Sequence, residues 1–158
     1  MQKESLYTQG ETALRAGHYE DALAEFNRIL ATDESNIIVL GLRGLTYCCL
    51  KRYDEAFADF NHALTIDANN VRIIGLRGEA YRRIKKYAEA LADFDRALAI
   101  SQKFWWLYKE RGKVYGLMGQ YEESLADFDR ALALGADEET AEKRKELYDI
   151  VVHKFKAL

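Results

Sequence analysis

The chain has 158 residues, 49% hydrophobic and 31% charged, with a net charge of −3, no proline and two cysteines. That is enough apolar material for one soluble domain, and the slight acidic excess makes nonspecific attraction to nucleic-acid phosphates poor. A bridge between the neighbours Cys48 and Cys49 would be strained, which points to reduced thiols and a cytoplasmic setting, and residues 1–14 lack the apolar run of a signal peptide or membrane span.

Gly10, Gly44, Gly78 and Gly112 stand 34 residues apart, and Tyr19, Tyr53, Tyr87 and Tyr121 keep the same register, as do Phe26, Phe60, Phe94 and Phe128. The chain therefore reads as a repeat of two-helix units. The first unit, 3–36, starts at polar Lys3, carries Ala13 where the others have Tyr47, Tyr81 and Tyr115, and opens its second helix with Glu20 and Asp21. In the second unit, 37–70, Ile37, Leu40, Gly44 and Tyr47 form one helical face, and Ala56, Phe57, Phe60, Ala63 and Leu64 form the next. Lys51, Arg52 and Tyr53 break the period between them, and Asp54 and Glu55 suit a helix N-terminus. Asn36, Asn69 and Asn70 are expected to make the turns between units by adopting the left-handed region.

The third unit, 71–104, ends on Ser101, Gln102 and Lys103, a junction with no comparable breaker and the expected weak turn. The fourth, 105–138, should bury Trp105, Tyr108, Gly112 and Tyr115. Beyond it, Tyr148, Val151, Val152 and Phe155 form an apolar stripe opposite Lys143, Lys145, Glu146, Asp149 and Lys156, so 139–158 is expected to be a helix that closes the core as a lid.

Gly44, Tyr47, Tyr53, Ala56, Phe60 and Ala63 resemble the signature of the tetratricopeptide repeat (TPR), and four such units cover all but the ends of the chain. The resemblance implies an all-α fold, a right-handed α-solenoid of helix-turn-helix repeats forming one domain over 1–158, and a role in protein binding. The proline that usually closes a TPR unit is replaced by Glu34, Ala68, Gln102 and Ala136. His18, His62 and His153 have no triad or metal-ligand partners at suitable spacing, and no phosphate-binding glycine loop occurs, so neither an enzyme nor a cofactor or metal is expected.

In TPR arrays the first helices line a concave groove. Taking the stripe beside each buried face places Ile38, Leu42, Leu45, Arg72, Gly75, Leu76, Glu79, Arg82, Arg83, Trp106, Lys109 and Lys113 on it. Second-helix acids, including Glu25, Asp59, Asp93, Asp95, Asp127 and Asp129, are expected outside. The expected ligand is a protein or peptide segment with apolar anchors and acidic groups or a C-terminal carboxylate, with neither nucleic acid nor membrane as partner. The carboxylate clamp of chaperone adaptors is not matched: its places hold Tyr7, Glu11, Leu42, Arg72 and Leu76 in one frame, and Gly41, Leu45, Leu76, Trp106 and Glu110 in the other. The alternative is a self-associating scaffold, a homo-oligomer that exchanges hairpins at 101–103. Arg43, Arg77 and Arg111 each precede a repeat glycine, and Asp59, Asp93 and Asp127 lie sixteen residues on. This predicts structural Arg–Asp contacts of at most about 1 kcal/mol if exposed.

Overall fold

The computed structural model describes the backbone of residues 2–156 and the side chains of residues 4–153; the side chains of Lys3, Phe155 and Lys156 lie outside that range. The described residues form helices α1 (Gln2–Arg15), α2 (Tyr19–Leu30), α3 (Ile37–Cys49), α4 (Tyr53–Ile66), α5 (Val71–Arg83), α6 (Tyr87–Ile100), α7 (Trp105–Leu117), α8 (Tyr121–Ala133) and α9 (Glu138–Lys156), with no strand among them. This is an all-α helical-repeat fold. It divides into two compact units, Met1–Ala80 and Tyr81–Leu158.

The turn inside each repeat is the same hydrogen-bonded motif. The second residue after the first helix takes a left-handed conformation: Gly17 (φ 80°), Lys51 (60°), Lys85 (62°) and Gly119 (77°). The next amide reaches back five residues, His18 to Ala13, Arg52 to Tyr47, Lys86 to Tyr81 and Gln120 to Tyr115, each at 2.9 Å, closing the helix C-terminus. Two of the four positions are lysine, which pays a steric cost there that glycine does not. The second helices that follow have no side-chain cap but carry Glu20 and Asp21, Asp54 and Glu55, Glu89, and Glu122 and Glu123 in their first turns, where the helix dipole favours negative charge.

Between repeats the expected turns form, by a different device. Asn36 has φ −72°, not a left-handed conformation, and its side chain accepts from the Val39 amide. Asn70 accepts from the Ile73 amide in the same way, and neither it nor Asn69 has positive φ. Here asparagine works as an N-cap because its short amide reaches the orphan donors of the first turn. The third junction lacks that device: Phe104 occupies the N-cap of α7 without a side-chain hydrogen bond.

In the first unit, α1 packs on α2, α3 on α4, and α2 on α3. Phe26 and Phe60 are fully buried, each ring stabilising the fold by roughly 2–3 kcal/mol. They lie on the repeat glycines: a Cβ on Gly44 would fall 2.5 Å from Phe60 Cε1, and one on Gly10 2.7 Å from Phe26 Cε1. Gly41 has the same role toward α5, where Ile73 Cδ1 occupies its Cβ space at 2.6 Å. Gly41 is therefore a packing glycine and does not leave room for a ligand backbone.

In the second unit, α6 packs on α7, α7 on α8, and α8 on α9. Tyr108 and Gly112 are buried as expected, Trp105 and Tyr115 are partly buried, and Leu107 and Val114, outside the expected stripe, are fully buried. A first helix is packed along two sides, so its buried arc is wider than a single stripe. On α9 the inward positions are Thr140 and Leu147, with Val151 and Val152 partly buried. Tyr148, expected inside, is exposed and lies over the Arg144 guanidinium at 5.2 Å. Thr140, Leu147 and Val151 keep helical spacing on the inward face, and Tyr148 falls beside it.

Candidate functional site

Three arginines precede the repeat glycines, and these are structural. Arg43 donates twice to Asp59, at 2.8 and 2.6 Å, and once to Asn27 at 2.8 Å on the preceding repeat. Arg111 does the same with Asp127, at 2.8 and 2.7 Å, and with Asp95 at 2.6 Å. The predicted Arg–Asp contact is thus present between Arg43 and Asp59 and between Arg111 and Asp127, and Arg77 bonds Asn61 on the preceding repeat at 2.8 Å as Arg43 bonds Asn27. On α9, Arg144 bonds Asp129 at 2.8 Å and continues the pattern. Asp59, Asp93 and Asp127 are buried, which corrects the expectation that they face outward; Asp95 and Asp129 are exposed. Bidentate pairs at this depth are stronger than the exposed bridges first expected. Burial pushes the Asp127 carboxyl up, the Arg111 guanidinium pulls it down, and burial prevails.

The expected groove residues divide by exposure. In the first unit Ile38 is 61% exposed and Arg72 is exposed, while Leu45, Leu76 and Glu79 are partly buried. Leu42 and Gly75 are buried, which corrects their placement on open surface: Leu42 joins the core cluster that includes Ile73. In the second unit Arg83 is exposed, and Arg82, Trp106 and Lys113 are partly buried.

Lys109 is the third correction. It is 7% exposed, and its ammonium contacts Asp137 at 3.0 Å and Glu139 at 2.7 Å, both at the start of α9. Burial alone would lower its pKa, but the bonds to Glu139 and Asp137 more than offset this and raise it. Asp137 also caps α9, accepting from the Thr140 amide at 3.0 Å and its hydroxyl at 2.5 Å. Thr140 and Lys109 together hold the Asp137 carboxyl down at about 2. Lys109 thus latches α9 to α7.

Alongside the latch, α7, α8 and α9 line an open cavity of about 510 Å³ with the end of α5. Arg82, Lys113, Lys143 and Glu146 supply charge, and Leu117, Phe128, Leu147 and Ile150 supply apolar wall. Arg82 and Lys113 meet on one carboxylate, Glu110, at 3.1 and 2.7 Å. Lys143 was assigned above to a solvated face of the lid. The repeat register was the signal for its real place, because Lys143 stands 34 residues after Lys109 and Leu147 the same distance after Lys113. Among the described residues, no group of His, Cys, Asp and Glu could hold a metal ion, and no helix is long and apolar enough to cross a membrane.

Two family models, both described as tetratricopeptide repeat, match residues 36–103 and 108–137, together more than half of the chain. The chain belongs to the tetratricopeptide repeat family, whose members are protein-interaction scaffolds, and it is a protein–protein interaction module. No curated protein matches the sequence. A thermophilic TPR protein of Thermus thermophilus has the same fold, with a TM-score of 0.84 at 20% identity, covering 92% of this chain and 81% of that one. The first TPR of Spaghetti (RPAP3), solved bound to the HSP90 peptide SRMEEVD, is 26% identical with a TM-score of 0.69, over 73% of this chain and 93% of that one. The second TPR domain of human RPAP3, in complex with the HSP70 peptide SGPTIEEVD, is 27% identical with a TM-score of 0.65, over 72% and 95%.

Proposed function

We propose that this module, one TPR array over 1–158 in a cytoplasmic protein, binds a protein or peptide segment on the first-helix faces of its repeats. It favours segments with apolar anchors and acidic groups or a C-terminal carboxylate. The observation that carries this is that first helices in each compact unit expose both apolar side chains and cations outside the arginine pattern. Ile38 on α3 and Leu117 on α7 are 61% and 57% exposed, and Arg72 and Arg83 are exposed on α5. The peptides bound by the two RPAP3 domains end in an acidic segment, which supports the charge preference. The contacts must differ from a chaperone clamp, since Leu42 and Leu76 stand at two clamp places and Leu42 is buried.

A displayed peptide library tests the reading, with Arg83→Glu as control. Enriched peptides should share an apolar residue beside acids and bind the variant about tenfold more weakly, a change of roughly 1.4 kcal/mol. Failure to enrich any sequence, or equal binding by the variant, would sink it.

A second reading, self-association by hairpin exchange at 101–103, draws support from the missing cap at Phe104. Mass that rises with concentration and changes in Gln102→Pro would favour it, and a constant monomer mass would dismiss it.

A further inference from the structure

We propose that the cavity bounded by α7, α8 and α9 is an anchor pocket that takes one bulky aliphatic side chain of an acidic peptide, with Lys143 on the capping helix pairing with the neighbouring carboxylate. This rests on the peptide-binding reading above and adds a location and a side-chain preference to it.

The cavity has an identifiable origin in the repeat. One register position reads Leu14, Cys48, Arg82 and Gly116 in the four units. In the first two repeats that position is packed: Cys48 is 3% exposed and belongs to the core cluster, and Leu14 packs against it. Glycine at 116 removes the filling side chain, so the space beside it stays open. Ser124 stands where the earlier repeats have Ala22, Ala56 and Ala90, and its hydroxyl would lie 3.3 Å from a Cβ on Gly116. The fourth repeat therefore differs from the others at both facing positions.

The walls suit the proposed occupant. Phe128 and Leu147 are buried at its base, whereas Leu117 and Ile150 at its edge are 57% and 51% exposed, apolar area that an aliphatic side chain would cover. About 510 Å³ is within the roughly 300–1,000 Å³ range of ligand clefts. The charges around it are the three cations Arg82, Lys113 and Lys143 against the two carboxylates Glu110 and Glu146, an excess that favours an acidic segment. Arg82 Nε and Glu110 Oε2 are buried and close but misaligned, and neither makes a hydrogen bond.

The test is an amide chemical-shift titration of the full chain with the acetylated peptide amide Gly-Glu-Leu-Glu-Gly. Two control peptides carry Ala for Leu or Lys for both Glu. The amides of Gly116, Leu117, Lys143 and Ile150 should shift, and affinity should fall about tenfold with the Ala peptide. Gly116→Leu, which fills the space, should abolish those shifts, and Lys143→Glu should weaken binding about five- to tenfold while the melting temperature stays unchanged. If Gly116→Leu fails to fold, Lys143→Glu and the Ala peptide decide alone. Binding that leaves these four amides unmoved, or is indifferent to both variants, overturns the inference. If this peptide fails to bind while library peptides bind, the pocket is wrong and the peptide-binding reading stands; if neither binds, both fall.

Discussion

Replacing Arg111 with leucine should cost far more than an exposed salt bridge is worth. Arg111 makes two bonds to Asp127, at 2.8 and 2.7 Å, and one to Asp95 at 2.6 Å. Asp95 is exposed and recovers water when the arginine is lost, whereas the Asp127 side chain is only 7% exposed and does not. Removing one partner of a buried pair costs about 3–5 kcal/mol, and because Arg111 keeps 20% of its side-chain exposure, the low end, about 3 kcal/mol, is expected. Burial already pushes the Asp127 carboxyl up with the arginine present, and without it the rise should be larger. A carboxyl whose folded pKa lies above its unfolded value favours the fold below the unfolded pKa and opposes it as pH rises through the folded one. The deficit of Arg111→Leu should therefore be full at pH 7 and shrink toward pH 4. Urea denaturation at several pH values measures this, and Arg111→Leu with Asp127→Leu should recover most of the loss, because no unpaired charge is then buried. A deficit below about 1 kcal/mol, as for an exposed pair, or one that is constant with pH, would refute the reasoning.

Lys51→Gly and Lys85→Gly should each raise stability by about 0.5–1 kcal/mol, since both lysines hold positive φ where the other two repeats have glycine; thermal melting checks this, and a loss would contradict it. Phe104→Asn should supply the N-cap that Asn36 and Asn70 provide elsewhere and add about 1 kcal/mol, with denaturant midpoints as readout. Acid should loosen α9: Asp137 is held down at about 2 by Thr140 and Lys109, and Glu139 is lowered by Lys109. Carboxylates with depressed folded values stabilise above their ordinary pKa and lose that contribution as pH falls through the folded one, so the loss should run from about pH 4 down to about pH 2. Trp105, whose ring is 5.7 Å from the Lys109 ammonium, should report it by fluorescence, and the step should be smaller in Lys109→Met, where Thr140 alone still holds Asp137 down.

The helix pairs and the Arg43–Asp59 and Arg111–Asp127 contacts were legible in the sequence because each depends on spacing within one repeat. Gly44 and Phe60, sixteen residues apart, can meet only if two helices fold back on each other, and a period of 34 residues makes that pattern visible four times. The turns were legible in position but not in chemistry: Asn36 caps with its side chain, and the left-handed residue is Lys51, whose identity gives no hint of it. The candidate surface was only partly legible. A helical stripe says which residues share a face, not how many other helices cover it, and so Leu42 and Lys109 were placed in the open although packing buries both. The cavity and the place of Lys143 in its wall belong to tertiary structure for the same reason: they depend on how closely α7, α8 and α9 approach once Gly116 leaves space between them. Spacing along one chain determines what repeats, while exposure is decided by every neighbour at once.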